Sequence, residues 1–230
     1  MKITENLSKI RNEIRSAENE FQREQGSVNL LAVSKTRSAD EIMTAYNAGH
    51  RHFGENYCQE AVEKIEAIGK NDITWHFIGP IQSNKTSLIA QYFDWVHTID
   101  RIKIAHRLND SRPDDKLALN ICIQINISGE ESKSGISLDC VDDFIDELAQ
   151  FKRLKVRGLM ALPAPSNNFE EQRAAFSTLK QKYSSLKENR TEFDTLSIGT
   201  TQDMHAAIAE GATIVRIGTA IFGPRNVNRT

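Results

Sequence analysis

The sequence lacks the features by which secreted, membrane-spanning and disulfide-linked proteins are usually recognised. Its 230 residues include only three cysteines, and no CxxC pair is among them, which favours reduced thiols over a disulfide framework. No apolar run is long enough to cross a bilayer, and the charged N-terminal segment MKITENLSKIRNEI differs from a secretory signal. We therefore expect a cytoplasmic protein with no membrane anchor, and the histidine and cysteine spacing predicts no metal site.

An excess of charge of one sign is also missing. The 29 lysines and arginines nearly balance the 31 aspartates and glutamates, and the two signs are mixed along the chain. This balance argues against nucleic acid as a partner. Hydrophobic residues make up 39% of the chain, which is enough for a sizeable core, and no linker-like tract divides it. We expect one domain over residues 1–230.

Segments with strand-like and helix-like patterns alternate along the chain. An amphipathic stripe predicts an opening helix over residues 3–24, and the apolar run VNLLAVS at 28–34 predicts a buried parallel strand. Further strands are predicted at 52–54, 74–79, 95–99, 118–126, 155–162, 195–199 and 213–218. Helices are predicted at 38–48, 57–68, 84–91, 101–109, 138–151, 169–187 and 202–210.

This alternation predicts an α/β fold, a single (β/α)8 TIM barrel with an extra N-terminal helix. A doubly wound open sheet is the alternative. It usually has fewer strands at this length, and no GxGxxG motif follows the first predicted strand. The barrel is therefore favoured, and it directs attention to the residues at the C-terminal ends of its strands.

A lysine and an arginine occupy such positions on the first and last strands. Lys35 directly follows the first apolar strand, and Arg216 lies in the last one. These two strands are neighbours in a closed barrel, so we expect both side chains to face one pocket. Partial desolvation and a nearby cation favour a neutral lysine, the form that attacks an aldehyde.

Two glycine–threonine segments provide a second indication of a ligand. Gly199-Thr200-Thr201 follows the seventh strand, and Gly218-Thr219 follows the eighth. Glycine permits a close approach of the backbone to an anion, while threonine hydroxyls and helix-start N–H groups donate to it. Phosphate sites in TIM barrels recur in these two loops.

A lysine, an arginine and a phosphate-binding loop in one barrel mouth indicate a phosphorylated carbonyl ligand. Sugar phosphates, as in Schiff-base aldolases, and pyridoxal 5′-phosphate both satisfy this chemistry. The local pattern leaves the two open.

Short motifs occur along essentially the whole chain, in the order AVSKT at 32–36, FGENY at 53–57, WHFIG at 75–79, QSNK at 82–85, NIS at 126–128, RGLM at 157–160 and VRIGT at 215–219. Together they resemble the motifs of the YggS/PROSC family of pyridoxal phosphate homeostasis proteins. The set is highly specific, although each motif alone is weak. The resemblance implies a barrel like the N-terminal domain of alanine racemase.

The same resemblance implies how the cofactor, pyridoxal 5′-phosphate, would be held. Lys35 would carry it as a Schiff base, with Asn56 beside it and Met160 lining the ring pocket. Arg216 would face the pyridine nitrogen. The residues expected around the phosphate are Ser197, Gly199, Thr201, Gly218 and Thr219.

The chain departs from the family pattern after the seventh strand. The family usually reads Ser-Met-Gly-Met-Ser-x-Asp there, whereas this chain reads SIGTTQD over residues 197–203. Thr201 keeps a hydroxyl for the phosphate. Thr200 in place of a methionine makes that wall more polar and leaves its packing role open.

The resemblance favours a carrier over an enzyme. An arginine opposite the pyridine nitrogen disfavours a pyridinium, so the ring becomes a weaker electron sink. Racemisation also needs a second acid or base, which alanine racemases take from a C-terminal β-domain, and this chain ends soon after the barrel. The expected function is buffering and delivery of the cofactor, with apo enzymes that use pyridoxal phosphate as the recipients. An amino-acid racemase or lyase is the alternative.

Three further residues and the oligomeric state complete the expectations. Lys85 is either a surface lysine or a second amine within reach of the cofactor, and we favour the surface. Lys133 and Glu130 lie in a polar loop that the family match puts over the barrel mouth. Since no second domain follows, we expect a monomer.

Overall fold

The structure is a computed structural model that describes residues 2–129 and 133–224, and in these ranges eight parallel strands close into a barrel in sequence order. The strands are β1 (Asn29–Val33), β2 (His52–Glu55), β3 (Thr74–Phe77), β4 (Trp95–Ile99), β5 (Leu119–Ile125), β6 (Leu154–Ala161), β7 (Thr195–Ser197) and β8 (Ile214–Ile217). The predicted (β/α)8 barrel is therefore confirmed.

Helices alternate with the strands on the outside of the barrel. They are α1 (Lys2–Glu20), α2 (Ala39–Asn47), α3 (Cys58–Ile68), α4 (Thr86–Tyr92), α5 (Ile102–Ser111), α6 (Val141–Leu148), α7 (Phe169–Glu188), α8 (Met204–Ala209) and α9 (Thr219–Phe222). Short 3-10 turns, Ser83–Lys85 and Leu138–Cys140, lead into α4 and α6, which therefore start later than predicted. No helix in the described ranges combines the length and apolar character needed to span a membrane.

The barrel closes through the pairing of β1 with β8. Leu31 pairs with Arg216 and Ala32 with Ile217 in this register. Arg216 therefore lies beside the strand that leads directly into Lys35. The N-terminal helix α1 buries Leu7 on its inner face and packs against α8 and α9 outside this seam.

The start of α2 fixes the chain just after β1. Ser38 and Glu41 form a capping box: the Ser38 hydroxyl accepts the Glu41 N–H at 3.2 Å, and a Glu41 carboxylate oxygen accepts the Ser38 N–H at 2.9 Å. Two helix-start N–H groups are satisfied in this way. The segment from 34 to 37, between β1 and this cap, is consequently short and held at both ends.

Polar side chains share the barrel interior with apolar ones. His76, His97, Ser197 and Arg216 are all buried, and each lies in a strand. Burial of so many polar groups is costly unless they bond to one another. Their bonds connect the interior to the site described next.

Candidate functional site

A cavity of about 410 Å³ opens at the C-terminal ends of the strands. This volume is in the range of roughly 300–1,000 Å³ that small-molecule sites occupy. Its lining comprises Val33, Lys35, Asn56, Ile78, Leu162, Thr200, Thr201, Gln202, Arg216, Gly218 and Thr219. Six residues predicted from the sequence are brought together here, namely Lys35, Asn56, Thr201, Arg216, Gly218 and Thr219.

Lys35 lies between a buried serine and a strained threonine. Ser34 is fully buried, Lys35 is half-buried, and Thr36 has a φ of 63°. A β-branched residue in the left-handed region is a true outlier, and such conformations cost about 1–3 kcal/mol each. The Thr36 N–H donates to Glu60 Oε1 at 2.6 Å, which holds the strained turn next to Lys35.

A buried ionic cluster fixes the other side of the Lys35 segment. The Ser34 hydroxyl donates to Glu55 Oε1 at 2.6 Å. Lys64 Nζ donates to Glu55 Oε1 at 3.0 Å and to the Ser34 carbonyl at 2.9 Å, and it also pairs with Glu60. Glu55 and Lys64 are both buried, so removing either would leave an uncompensated charge.

Arg216 presents unused donors to the cavity. Its Nη1 donates to the carbonyl and the hydroxyl oxygen of Ser197 at 2.5 and 2.8 Å, and its Nη2 donates to the Ala161 carbonyl at 2.9 Å. Among the described residues, no acceptor is found for Nε or for the second Nη2 proton. Burial lowers the pKa of Arg216 to about 10, so the guanidinium stays charged at neutral pH.

The loops after β7 and β8 form the opposite wall of the cavity. The Thr200 N–H and hydroxyl donate to Asp203 Oδ1 at 2.6 and 2.7 Å. The added polarity of Thr200 is therefore used within the loop. Thr201 and Thr219 are exposed, and no backbone bond from the Gly218 or Thr219 N–H to another described residue is found. These groups can donate to an anion.

Asn56 contributes a buried polar atom that lacks a partner among the described residues. Its Oδ1 atom is inaccessible to solvent and accepts no hydrogen bond from them. The backbone of Asn56 is fixed by Gly79, where an added Cβ would lie 2.1 Å from the Asn56 carbonyl oxygen. A buried amide without a partner is costly, and a ligand hydrogen bond would offset that cost.

Gly199 shapes the turn after β7 and lies behind the cavity lining. Its φ is 94°, and an added Cβ would lie 2.6 Å from the Cβ of Ala207. The Gly199 carbonyl accepts the Arg216 N–H at 2.9 Å. β7 ends at Ser197, two residues earlier than predicted, and Gly199 links the following turn to β8.

Two other predicted residues also lie outside the lining. Met160 is buried in β6 and pairs with Ser197 of β7. Ser197 is fully buried and bonds to Arg216 and His97 within the barrel. Their predicted contacts with a ring and a phosphate stay predictions.

Four lining residues were not predicted from the sequence, namely Val33, Ile78, Leu162 and Gln202. Leu162 carried a signal, because it is a large apolar residue at the C-terminal end of the strand predicted over 155–162, and 48% of it is exposed. Gln202 lies in the loop after β7 and has no comparable sequence signal.

Lys85 and Lys133, which the sequence linked to the site less firmly than Lys35, are not among the lining residues. Lys85 is half-buried in the 3-10 turn before α4. Lys133 donates to the Ser128 hydroxyl at 3.2 Å on the surface. Glu130 lies outside the described residues.

Comparison with known proteins identifies relatives across the whole chain. The family model described as the alanine racemase N-terminal domain matches residues 6–226. The pyridoxal phosphate homeostasis protein of Escherichia coli is 49% identical over 99% of this chain and 98% of its own. The protein of the same name from Haemophilus influenzae is 51% identical over 98% of this chain and 97% of its own.

Solved structures agree with this relationship. PipY of Synechococcus elongatus, in a structure with PLP bound, has a TM-score of 0.81 and 32% identity, covering 96% of this chain and 100% of PipY. An alanine racemase of Clostridium difficile has a TM-score of 0.73 and 13% identity, covering 99% of this chain and 58% of the racemase, and shows the shared fold alone. The chain belongs to the alanine racemase N-terminal domain family and, within it, to the pyridoxal phosphate homeostasis proteins.

Proposed function

We propose that the chain binds pyridoxal 5′-phosphate in the cavity at the C-terminal mouth of the barrel, and that it buffers and delivers this cofactor in the cell. One observation carries the proposal: Lys35, Arg216 and the loops after β7 and β8 line the same cavity. The relatives named for pyridoxal phosphate homeostasis and the PLP-bound structure of PipY support it.

The residues of the cavity fit the three chemical parts of the cofactor. Its aldehyde condenses with a neutral amine and releases water to give a Schiff base, and Lys35 is the lysine in the lining. The unused donors of Arg216 suit an uncharged pyridine nitrogen, which accepts a hydrogen bond. Thr201, Gly218 and Thr219 supply donors for the phosphate.

The remaining predicted residues support the site from its edges. Asn56 has a buried Oδ1 that a ligand can satisfy. Ser197 bonds to Arg216, and Gly199 shapes the turn before Thr201. Met160, which is buried in β6, would lie beneath the ring. The phosphate would thus be gripped by the rim while these residues set the floor.

A carrier role follows from the charge of Arg216. A buried guanidinium cannot take up a proton and disfavours a protonated ring nitrogen, so it weakens the electron sink that carbanion chemistry needs. Reversible binding needs only the amine, the donors and the cavity. Apo enzymes that use pyridoxal phosphate are the proposed recipients.

A racemase or lyase using the same lysine is the second candidate, favoured by the fold shared with alanine racemases. Incubation with L- or D-amino acids and a chiral assay separates the two. Turnover well above that of free pyridoxal phosphate, and lost in Lys35→Ala, would favour the enzyme.

We further propose a monomer in the reducing cytoplasm. The three cysteines support this compartment, because Cys58 and Cys122 are buried free thiols and Cys140 is an exposed one. Light scattering of the purified protein, with and without pyridoxal phosphate, measures the oligomeric state.

The decisive experiment is borohydride reduction of the protein with pyridoxal phosphate, followed by peptide mapping. We expect an absorbance band near the visible edge of the ultraviolet and a single modified peptide carrying Lys35. Lys35→Ala should lose the adduct, whereas the control Lys85→Ala, altered at the same end of the barrel, should keep it. A Lys35→Ala protein with an undiminished adduct would refute the assignment.

A further inference from the structure

A row of three histidines crosses the barrel interior and ends at Ser197. His52 Nδ1 lies 3.2 Å from His76 Nε2, and His76 Nδ1 lies 3.0 Å from His97 Nε2. His97 Nδ1 lies 2.8 Å from the hydroxyl oxygen of Ser197, to which Arg216 also donates. The row starts at a cavity of about 220 Å³ that His52 and His76 line at the opposite end of the barrel.

The buried rings of the row are neutral at physiological pH. Burial lowers the pKa of His97 to about 3 and holds that of His76 well below its ordinary value. Burial also lowers the pKa of His52, which is partly exposed. A neutral imidazole has one N–H and one acceptor nitrogen, so every N···N contact needs a donor on one side only. Two arrangements satisfy this condition, with all protons on Nε2 or all on Nδ1.

Arg216 selects between the two arrangements. A guanidinium only donates, so the Ser197 oxygen must accept its N–H. Ser197 is fully buried, and His97 Nδ1 is the acceptor found for its hydroxyl proton among the described residues. His97 must then carry its proton on Nε2 and donate it to His76 Nδ1. The same constraint passes to His76 and on to His52.

We propose that this row is the positioning element for Arg216, in which His97 holds the Ser197 hydroxyl turned away from the guanidinium and His76 and His52 fix the His97 tautomer. The row keeps the lone pairs of the Ser197 oxygen facing Arg216. The Arg216 donors that are not used by Ser197 and Ala161 are then directed at the ligand. His97 is thus a positioning residue rather than a catalytic one. The effect of His97 on cofactor binding rests on the proposed function, whereas the tautomers assigned to the three histidines are independent of it.

The arrangement differs from a metal centre. In residues 2–129 and 133–224 no group of three or more histidine, cysteine, aspartate or glutamate side chains is placed to hold a metal ion. Each inner ring instead uses both nitrogens on its neighbours in the row. Both nitrogens of His76 and of His97 therefore take part in a hydrogen-bond network.

The first test uses the apo protein and needs no cofactor. In ¹⁵N-histidine NMR spectra at neutral pH, we expect His52, His76 and His97 as neutral Nε2–H tautomers, with slowly exchanging Nε2 protons at His76 and His97. An Nδ1–H tautomer or a charged ring at His97 would overturn the proposal.

The second test measures pyridoxal phosphate affinity by absorbance titration. His97→Leu and Ser197→Ala should each weaken binding by about tenfold, near 1.4 kcal/mol. The double variant should lose little more affinity than whichever single variant binds more weakly, because both changes disrupt the same hydrogen-bonded row. His97→Asn, whose side-chain oxygen can replace Nδ1 as the acceptor, should recover most of the affinity.

His50→Leu is the matched control. His50 is also buried, but its Nε2 bonds to the His52 carbonyl at 2.8 Å and takes no part in the row. We expect it to lower stability and to leave the affinity within about twofold, below 0.5 kcal/mol. Additive losses in the double variant, or an equal loss in His50→Leu, would refute the positioning role. If the wild type binds no cofactor, the proposed function fails and the NMR result alone decides the row.

Discussion

Lys64 Nζ lies 2.9 Å from the carbonyl oxygen of Ser34, the residue that directly precedes Lys35. The buried ammonium thereby links helix α3 to the end of β1, and Glu60 of the same helix binds the N–H of the strained Thr36. The two residues flanking Lys35 are thus held by one pair of side chains on α3. The backbone that carries the Lys35 side chain is therefore fixed before the amine reacts, which favours a defined position for the amine.

Glu60→Ala should slow the modification of Lys35 by pyridoxal phosphate. The change removes the acceptor for the Thr36 N–H, so the turn at φ 63° can relax and carry Lys35 away from the cavity. A lost hydrogen bond to a charged group is worth about 1.5–3 kcal/mol, and we expect at least a several-fold lower rate. Borohydride trapping at timed intervals gives this rate.

Two neighbouring variants control for this result. Glu60→Gln keeps an acceptor oxygen and should retain most of the rate. Glu63→Ala removes an exposed carboxylate of helix α3 that, like Glu60, lines a surface groove beside Thr36, and it should behave as the wild type. Equal rates in Glu60→Ala and Glu63→Ala would show that the Thr36 contact has no role in positioning Lys35.

Gly199→Ala should destabilise the fold by more than its backbone conformation alone explains. Both a φ of 94° and a contact of 2.6 Å with the Ala207 Cβ oppose a methyl group there. Gly49 has a φ of 77° and nothing within 4 Å, so Gly49→Ala isolates the backbone cost, about 1–2 kcal/mol. Urea unfolding should show that Gly199→Ala lowers the free energy of unfolding by about 1–3 kcal/mol more than Gly49→Ala does. Equal losses would contradict the steric argument.

The barrel and the cofactor end of the site could be predicted because they depend on local patterns. An apolar run followed by Lys35, and the glycine–threonine segments after the last two strands, identify the mouth once strand order is assumed. Arg216 follows from the same reasoning, because β1 and β8 must meet when the barrel closes.

The support of the site depends on register and on distant packing, which the sequence pattern does not reveal. Lys64 resembles an exposed helix lysine paired with Glu60 four residues earlier, yet it is buried against β1 and β2. The row from His52 to His97 needs the lateral register of three strands. Ser197 was expected around the phosphate from the family resemblance alone, and its bonds to His97 and Arg216 within the barrel could not be predicted from the sequence.

The apo protein should lose stability as the pH falls from 6.5 towards 4. Burial lowers the pKa of His50 to about 4, so the unfolded chain takes up a proton in this window before the folded chain does. The stabilisation is complete above the unfolded pKa of about 6.5 and falls by ~1.4 kcal/mol per pH unit for each such group. In His50→Leu the pH dependence of urea unfolding should be shallower by this amount, and an unchanged slope would show that His50 takes up its proton equally in the folded and unfolded chain.

Thr219→Val should weaken the binding of pyridoxal phosphate and leave that of pyridoxal unchanged. The Thr219 hydroxyl is exposed in the cavity lining, and valine keeps its shape without the donor. A hydrogen bond to a charged phosphate is worth about 1.5–3 kcal/mol, so the affinity for the phosphorylated ligand should fall by at least tenfold. Thr44→Val, on α2 and away from the cavity, is the control. Titrations of both ligands decide the point: an equal loss for pyridoxal would mean that Thr219 shapes the cavity as a whole, and the phosphate would have to be held by other groups.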